Sequence, residues 1–98
     1  MIRHIVFWKL AGEADGRSKA ENFAIMKEKL ERLVDLIPEL IAIEVGKNLN
    51  GEEYDASLTC TFRSMDDLKT YDSHPEHQKV REFISKVRLS RVAVDYEL

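Results

Sequence analysis

Apolar residues alternate with other residues along four segments of the chain, and this period of two predicts β-strands. The predicted strands span residues 2–10, 40–47, 55–63 and 88–97. Residues 2–10 are rich in β-branched and aromatic types, which favour strands. The segments 11–16 and 48–54 are polar and glycine-containing, and we expect them to be loops.

Apolar residues recur every three or four positions between these strands, and this period predicts helices. The first helix is expected to begin near Ser18, which stands in capping-box register with Glu21, and to end before Pro38. Two further helical segments are expected to begin at Ser64 and Pro75. The inward-facing residues of the last helix are predicted to be His77, Val80, Phe83, Ile84 and Val87.

The predicted order is β-α-β-β-α-β, with the second helical segment broken at residues 73–75. Two βαβ halves in this order predict an α+β fold, the ferredoxin-like plait, in which helices cover one side of a four-stranded antiparallel sheet. A chain of 98 residues has room for one hydrophobic core. We therefore expect residues 1–98 to form a single domain.

The first two predicted strands carry apolar residues on both faces. Ile5 and Phe7 lie on the face opposite the even-numbered residues of strand 2–10, and Leu40 and Ala42 oppose Ile41 and Ile43 in the next strand. Helices can cover only one side of the sheet, so the other side is expected to be covered by a second copy of the chain. Scattered apolar surface residues are the alternative explanation.

Composition and charge reduce the number of possible partners and cellular locations. The chain has 15 basic and 18 acidic residues, and no basic cluster of the kind that binds nucleic acid. No apolar run is long enough for a membrane span or a signal peptide. The single cysteine, Cys60, excludes an intramolecular disulfide framework and a cysteine-based zinc site. We expect a cytoplasmic protein that associates with neither nucleic acid nor membrane.

Four segments of the chain resemble the stress-responsive A/B-barrel family, abbreviated Dabb. They are IRHIVFWKL at 2–10, LIP at 36–38, YDSHPEH at 71–77 and VDY at 94–96. The resemblance runs in order along nearly the whole chain, and the His-Pro-x-His piece with its preceding tyrosine is its most specific part. It implies a ferredoxin-like protomer that dimerises through its sheet into an α+β barrel.

One plant branch of that family is a polyketide cyclase in which a histidine and a tyrosine promote ring closure without metal or cofactor. Carried over by position, the resemblance implies that His77 would be the general base and Tyr71 the hydrogen-bond donor. His4 and Asp95 would correspond to polar positions of the binding pocket. No cofactor is implied.

The residues themselves leave the role of each candidate open. His77 falls on the buried stripe of its helix, where it is either a general base or a hydrogen-bonded core residue. Tyr71 either donates to a carbonyl or enolate oxygen or holds its hydroxyl at the surface. His4 and Trp8 either line a ligand pocket or pack in the core. His74, beside Pro75, is a candidate ligand-binding residue or the N-cap of the last helix.

We do not expect a catalytic metal, because no third ligand stands beside His74 and His77 in a suitable pattern. The sequence favours a homodimeric protein of unassigned reaction that binds a small, largely apolar molecule between helices and sheet. A cofactor-free cyclase or isomerase using His77 and Tyr71 is the alternative. A structural stress-response protein without catalysis is a second alternative, so whether the chain is an enzyme stays open.

Overall fold

The structure, a computed structural model, describes residues 1–98. The strands are β1 (Ile2–Leu10), β2 (Glu13–Ala14), β3 (Arg17–Ser18), β4 (Ala42–Lys47), β5 (Ala56–Phe62) and β6 (Arg88–Glu97). The helices are α1 (Lys19–Glu31), α2 (Leu33–Leu36), α3 (Met65–Ser73) and α4 (Pro75–Val87). The main sheet has the order β4-β5-β1-β6 with antiparallel neighbours, so the fold is the ferredoxin-like plait that the sequence predicts.

The helix starts follow the predicted capping chemistry. At α1, the Glu21 N–H donates to Ser18 Oγ at 3.2 Å, and the Ser18 N–H donates to Glu21 Oε1 at 3.0 Å. This reciprocal pair satisfies two amide donors that the first turn leaves free. Ser64 Oγ accepts from the Asp67 N–H at 3.1 Å and starts α3 in the same way. Pro75 occupies the first turn of α4, where its missing N–H costs nothing.

Two local expectations are wrong. Residues 11–16 are not a plain loop, because β2 and β3 form a small hairpin whose turn residues, Asp15 and Gly16, have φ of 54° and 75°. The first predicted helix is interrupted at Arg32, which separates α1 from α2. Phe83, predicted to face inward from α4, packs against the core and is partly buried.

The core lies between the helices and one face of the sheet. The even-numbered residues of β1 and β5 face the helices and are buried. Met26 and Leu30 of α1, Leu33 of α2 and Ile84 of α4 cover them. None of the four helices is long and apolar enough to cross a bilayer.

The opposite side of the sheet, here called the open face, has no covering element. It carries Ile5, Phe7, Val92, Val94 and Tyr96, which we call the open-face patch. Phe7 pairs with Val92 and Ile5 with Val94 across the β1–β6 ladder, so these side chains are contiguous. Phe7 is 41% exposed and Val94 57%.

The second strand does not contribute to this patch as expected. Leu40 precedes β4 and is buried in the core, because the strand begins only at Ala42. The open face of β4 consists of Ala42, Glu44 and Gly46, and β5 adds Ser57, Thr59 and Thr61. The apolar part of the open face is therefore confined to β1 and β6.

Candidate functional site

A cavity of about 460 Å³ lies between α4 and the part of the sheet formed by β1, β5 and β6. It exists because β6 is exposed along almost its entire length, while α4 packs mainly against the other helices. From α4 come His77, Gln78, Arg81, Glu82, Ile84 and Ser85. The remaining lining residues are His4, Val6 and Trp8 of β1, Leu30 of α1, Leu58 of β5, and Arg88 and Arg91 of β6.

His77 is held with one ring nitrogen bonded and the other free. Its Nδ1 lies 3.0 Å from the backbone carbonyl oxygen of Asp72, which can only accept, so the neutral ring carries its proton on Nδ1. Nε2 is left with its lone pair. Burial lowers the pKa of His77 below its ordinary value, and Arg81 and His4 act in the same direction, whereas Asp72 acts against them. A neutral imidazole with a free Nε2 can accept a proton at neutral pH.

Tyr71 touches His77 but does not line the cavity. The two ring centroids are 4.2 Å apart, and the Tyr71 side chain is almost fully buried between His77 and Phe62. Its hydroxyl accepts from the Cys60 thiol, with 3.9 Å between Oη and Sγ. Burial raises the pKa of the phenol, which therefore stays protonated. The ring of Tyr71 packs against the ring of His77 on the side away from the cavity.

A carboxylate holds the second imidazole of the cavity. His4 and Asp95 face each other across the β1–β6 ladder, and His4 Nδ1 lies 2.5 Å from Asp95 Oδ1. Since a carboxylate accepts, the neutral ring of His4 carries its proton on Nδ1 and has a free Nε2. Asp95 itself does not line the cavity, so its contact with the site runs through His4.

The remaining candidates differ in their positions. Trp8 forms part of the cavity wall and, at only 4% exposed, also packs in the core. His74 is the N-cap of α4: its Nδ1 accepts from the Glu76 N–H at 3.1 Å, and it does not line the cavity. Cys60 is buried, and burial raises the pKa of its thiol to about 12.

No group of three or more His, Cys, Asp or Glu side chains is placed to hold a metal ion. The polar side chains around the cavity are instead His4, His77, Gln78, Arg81, Glu82, Ser85, Arg88 and Arg91. Polar groups thus form a larger share of the lining than a binding site for a largely apolar molecule needs.

Sequence reasoning missed the three arginines of the lining. Arg81 stands four residues after His77, which places it on the same helical stripe, and Arg88 is the first residue of β6. Arg91 pairs with Trp8 across the β1–β6 ladder and lies, like Asp95, on the helix-facing side of β6. The helical spacing was readable from the sequence, but the exposure of β6 was not.

The comparisons with known proteins agree on family and fold. The model of the Stress Responsive A/B Barrel Domain matches residues 2–98. A solved dimeric protein of unknown function from Bacteroides fragilis, with a ferredoxin-like fold, is 37% identical, with a TM-score of 0.84, over 99% of this chain and 95% of that chain. None of the curated proteins matches the sequence.

More distant structures share the same architecture. A dimeric ferredoxin-like protein of unknown function from Thermobifida fusca is 26% identical, with a TM-score of 0.83, and the match covers 99% of this chain and 90% of that chain. The hydroxynitrile lyase from Passiflora edulis is 19% identical, with a TM-score of 0.80, over 99% of this chain and 92% of its own. At that identity the likeness concerns the fold alone.

Proposed function

The chain belongs to the stress-responsive A/B barrel family, and we propose that it is a homodimer whose protomers each bind a small molecule in the cavity between α4 and the sheet. The observation that carries the binding proposal is the cavity itself, about 460 Å³ with His4, Trp8 and His77 in its wall. Space of this size suits a small organic ligand. A purely structural protein would have these side chains packed without a void.

The open-face patch supports the homodimer. Its five apolar side chains form one contiguous surface on β1 and β6, and no element of the chain covers them. Burying such a surface against its copy removes apolar area from water on both protomers. The relatives from Bacteroides fragilis and Thermobifida fusca are described as dimeric. Sedimentation equilibrium at micromolar concentration should give twice the chain mass of 11.4 kDa.

Apolar contacts support binding in the cavity. Val6, Leu30, Leu58 and Ile84 form an apolar floor beside Trp8. A ligand that displaces water from this floor gains the hydrophobic contribution of its own buried surface. The two imidazoles supply directional hydrogen-bonding groups on the same wall.

Trp8 reports directly on this proposal, because it is the only tryptophan of the chain. Titration with 3-phenyl-1-propanol should change Trp8 fluorescence saturably. Ser85→Phe, at an exposed position of the lining, should abolish the change by filling the cavity. Ser73→Phe, at an exposed helix position outside the lining, is the matched control and should bind normally. Saturable binding that is unaffected by Ser85→Phe would place the ligand elsewhere.

A cofactor-free enzyme is the second candidate, favoured by the neutral state and free Nε2 of His77. In this reaction His77 Nε2 takes a proton from a carbon next to a carbonyl, and the electron pair of that C–H bond moves to the carbonyl oxygen as an enolate. Tyr71 remains the proposed hydrogen-bond donor to that oxygen: its hydroxyl accepts from Cys60 and keeps its own O–H, but the buried side chain would have to move to reach the cavity.

The enzyme candidate is tested by hydrogen–deuterium exchange. In D2O, the protein should accelerate exchange at the α-carbon of a small ketone such as 4-phenyl-2-butanone, as followed by NMR. His77→Gln should remove the acceleration, because glutamine keeps a donor for the Asp72 carbonyl but has no basic nitrogen. Acceleration that survives in His77→Gln would exclude His77 as the base.

A further inference from the structure

Three arginines converge on the cavity from two elements of the fold. Arg81 projects from α4, and Arg88 and Arg91 come from the start of β6. Glu82 is the only carboxylate in the lining. The cavity therefore has a basic edge in a chain whose formal net charge is −3. We call Arg81, Arg88 and Arg91 the rim arginines.

Two of the rim arginines have no partner in the structure. Arg88 and Arg91 take part in no ion pair and no side-chain hydrogen bond, whereas Arg81 lies 3.6 Å from Asp72. The Arg81–Asp72 pair is more than half exposed on both sides and therefore weak. The other nearby carboxylate, Asp95, is engaged by His4. Glu82 lines the same cavity, but neither it nor any other carboxylate forms an ion pair with Arg88 or Arg91.

We propose that the ligand of this cavity is an amphipathic carboxylate, with its apolar body on the floor of Val6, Leu58 and Ile84 and its carboxylate at the rim arginines. This inference rests on the proposed small-molecule function and names the class of that ligand. A guanidinium group donates two parallel hydrogen bonds to a carboxylate, so arginine recognises this anion by shape as well as by charge. A ligand of this class differs from the largely apolar molecule that the sequence predicts.

The same surroundings argue against a free phosphate. Arg88 and Arg91 follow the C-terminal end of α4, where the helix dipole disfavours any anion, so anion binding there depends on the guanidinium groups. No glycine-rich loop, which would bind phosphate through backbone N–H groups, is part of the lining, and the first turn of α4 reaches it only through His77 and Gln78, at the opposite end of the helix from Arg88. Inorganic phosphate has no apolar part, so it would also leave water in contact with the apolar floor.

A matched pair of probes tests the inference by isothermal titration calorimetry of the intact protein. The acid 3-phenylpropanoate and the neutral 3-phenylpropanamide have the same apolar body and differ in charge. We expect the wild type to bind the acid about tenfold more tightly, because charge-assisted hydrogen bonds are roughly twice as strong as neutral ones. Added salt should weaken binding of the acid and leave binding of the amide unchanged.

The rim is tested by the double variant Arg88→Gln/Arg91→Gln. It should bind acid and amide within about twofold of each other, since the two glutamines are neutral and the remaining Arg81 already has Asp72 as a partner. Arg63→Gln/Lys69→Gln is the matched control: it removes the same two positive charges at exposed positions outside the lining and should keep the preference for the acid.

Each other outcome overturns the inference in a recognisable way. Equal affinity of the wild type for acid and amide would contradict the ligand class while leaving the proposed binding function intact. The same holds if the double variant keeps the preference, or if inorganic phosphate displaces the acid at equal concentration. If neither probe binds, the inference and the proposed binding function fail together.

Discussion

The ring of His77 lies against the ring of Tyr71, with 4.2 Å between their centroids, yet only His77 reaches the cavity. The phenol hydroxyl instead meets the Cys60 thiol in the core. The two residues that the sequence pairs as base and donor are therefore neighbours with different surroundings. His77 can contact a ligand, and the ring of Tyr71 packs against His77.

This arrangement makes Tyr71→Phe an informative variant. It removes only the hydroxyl and its contact with Cys60, so the free energy of unfolding should fall by about 1 kcal/mol or less, the usual net worth of a neutral hydrogen bond. Ring stacking on His77 is kept, and ligand binding followed by Trp8 fluorescence should persist. If the chain is the proposed enzyme, a folded Tyr71→Phe protein should lose ketone exchange, and exchange that persists would exclude the phenol as the donor.

The buried state of His77 predicts how stability depends on pH. Burial lowers its pKa below 6.5, so the unfolded chain binds the proton more readily than the folded one. The folded state should therefore lose stability as pH falls below about 6.5, until His77 is protonated in the folded state as well. Arg81 and His4 strengthen this effect, and Asp72 opposes it.

Urea unfolding between pH 7.5 and pH 5 measures this dependence. His77→Gln should show a smaller loss of stability on acidification than the wild type, because glutamine does not titrate. Identical slopes for the two proteins would mean that His77 is not responsible.

The sequence predicted most of the fold for local reasons. Capping pairs such as Ser18–Glu21 and the position of Pro75 place the helix starts, composition places β1, and strict alternation places β5. The split of the first helix at Arg32 and the hairpin at Asp15–Gly16 depend on tertiary packing and turn geometry that no periodic pattern encodes.

The site was harder to predict because it depends on the absence of a helix over β6. His4, Trp8 and His77 were identified as candidates and line the cavity together, although no local pattern links β1 to α4. His74 was predicted to be either a ligand-binding residue or the N-cap of the last helix, and the structure confirms the N-cap. Arg91 joins the lining only because no helix covers its strand.

The open-face patch predicts the effect of a charge on assembly. Phe7→Glu puts a carboxylate in the middle of the patch and should convert the dimer into a monomer, since an unpaired charge buried at an interface is costly. Leu36→Glu is the matched control, because Leu36 is similarly exposed, 43% against 41%, on the helix side. Sedimentation should give a monomer for the first variant and a dimer for the second. The reverse result would move the interface to the helices.

Burial of Cys60 predicts an unreactive thiol. Its pKa of about 12 leaves almost no thiolate at pH 8, and the side chain is fully buried. Labelling with 5,5′-dithiobis(2-nitrobenzoate) should therefore proceed no faster than unfolding, and one thiol per chain should react at once in 6 M guanidinium chloride. Rapid labelling of the native protein would contradict this environment.

The three histidines allow the most direct test of the cavity as the binding site. His4 and His77 line it, whereas His74 caps α4 outside it, so one spectrum contains both the site and its control. Imidazole resonances should be followed by NMR while 3-phenylpropanoate is added. The account predicts that the His4 and His77 signals shift together and saturate while His74 stays unchanged. Saturable binding that leaves both His4 and His77 unmoved would contradict it.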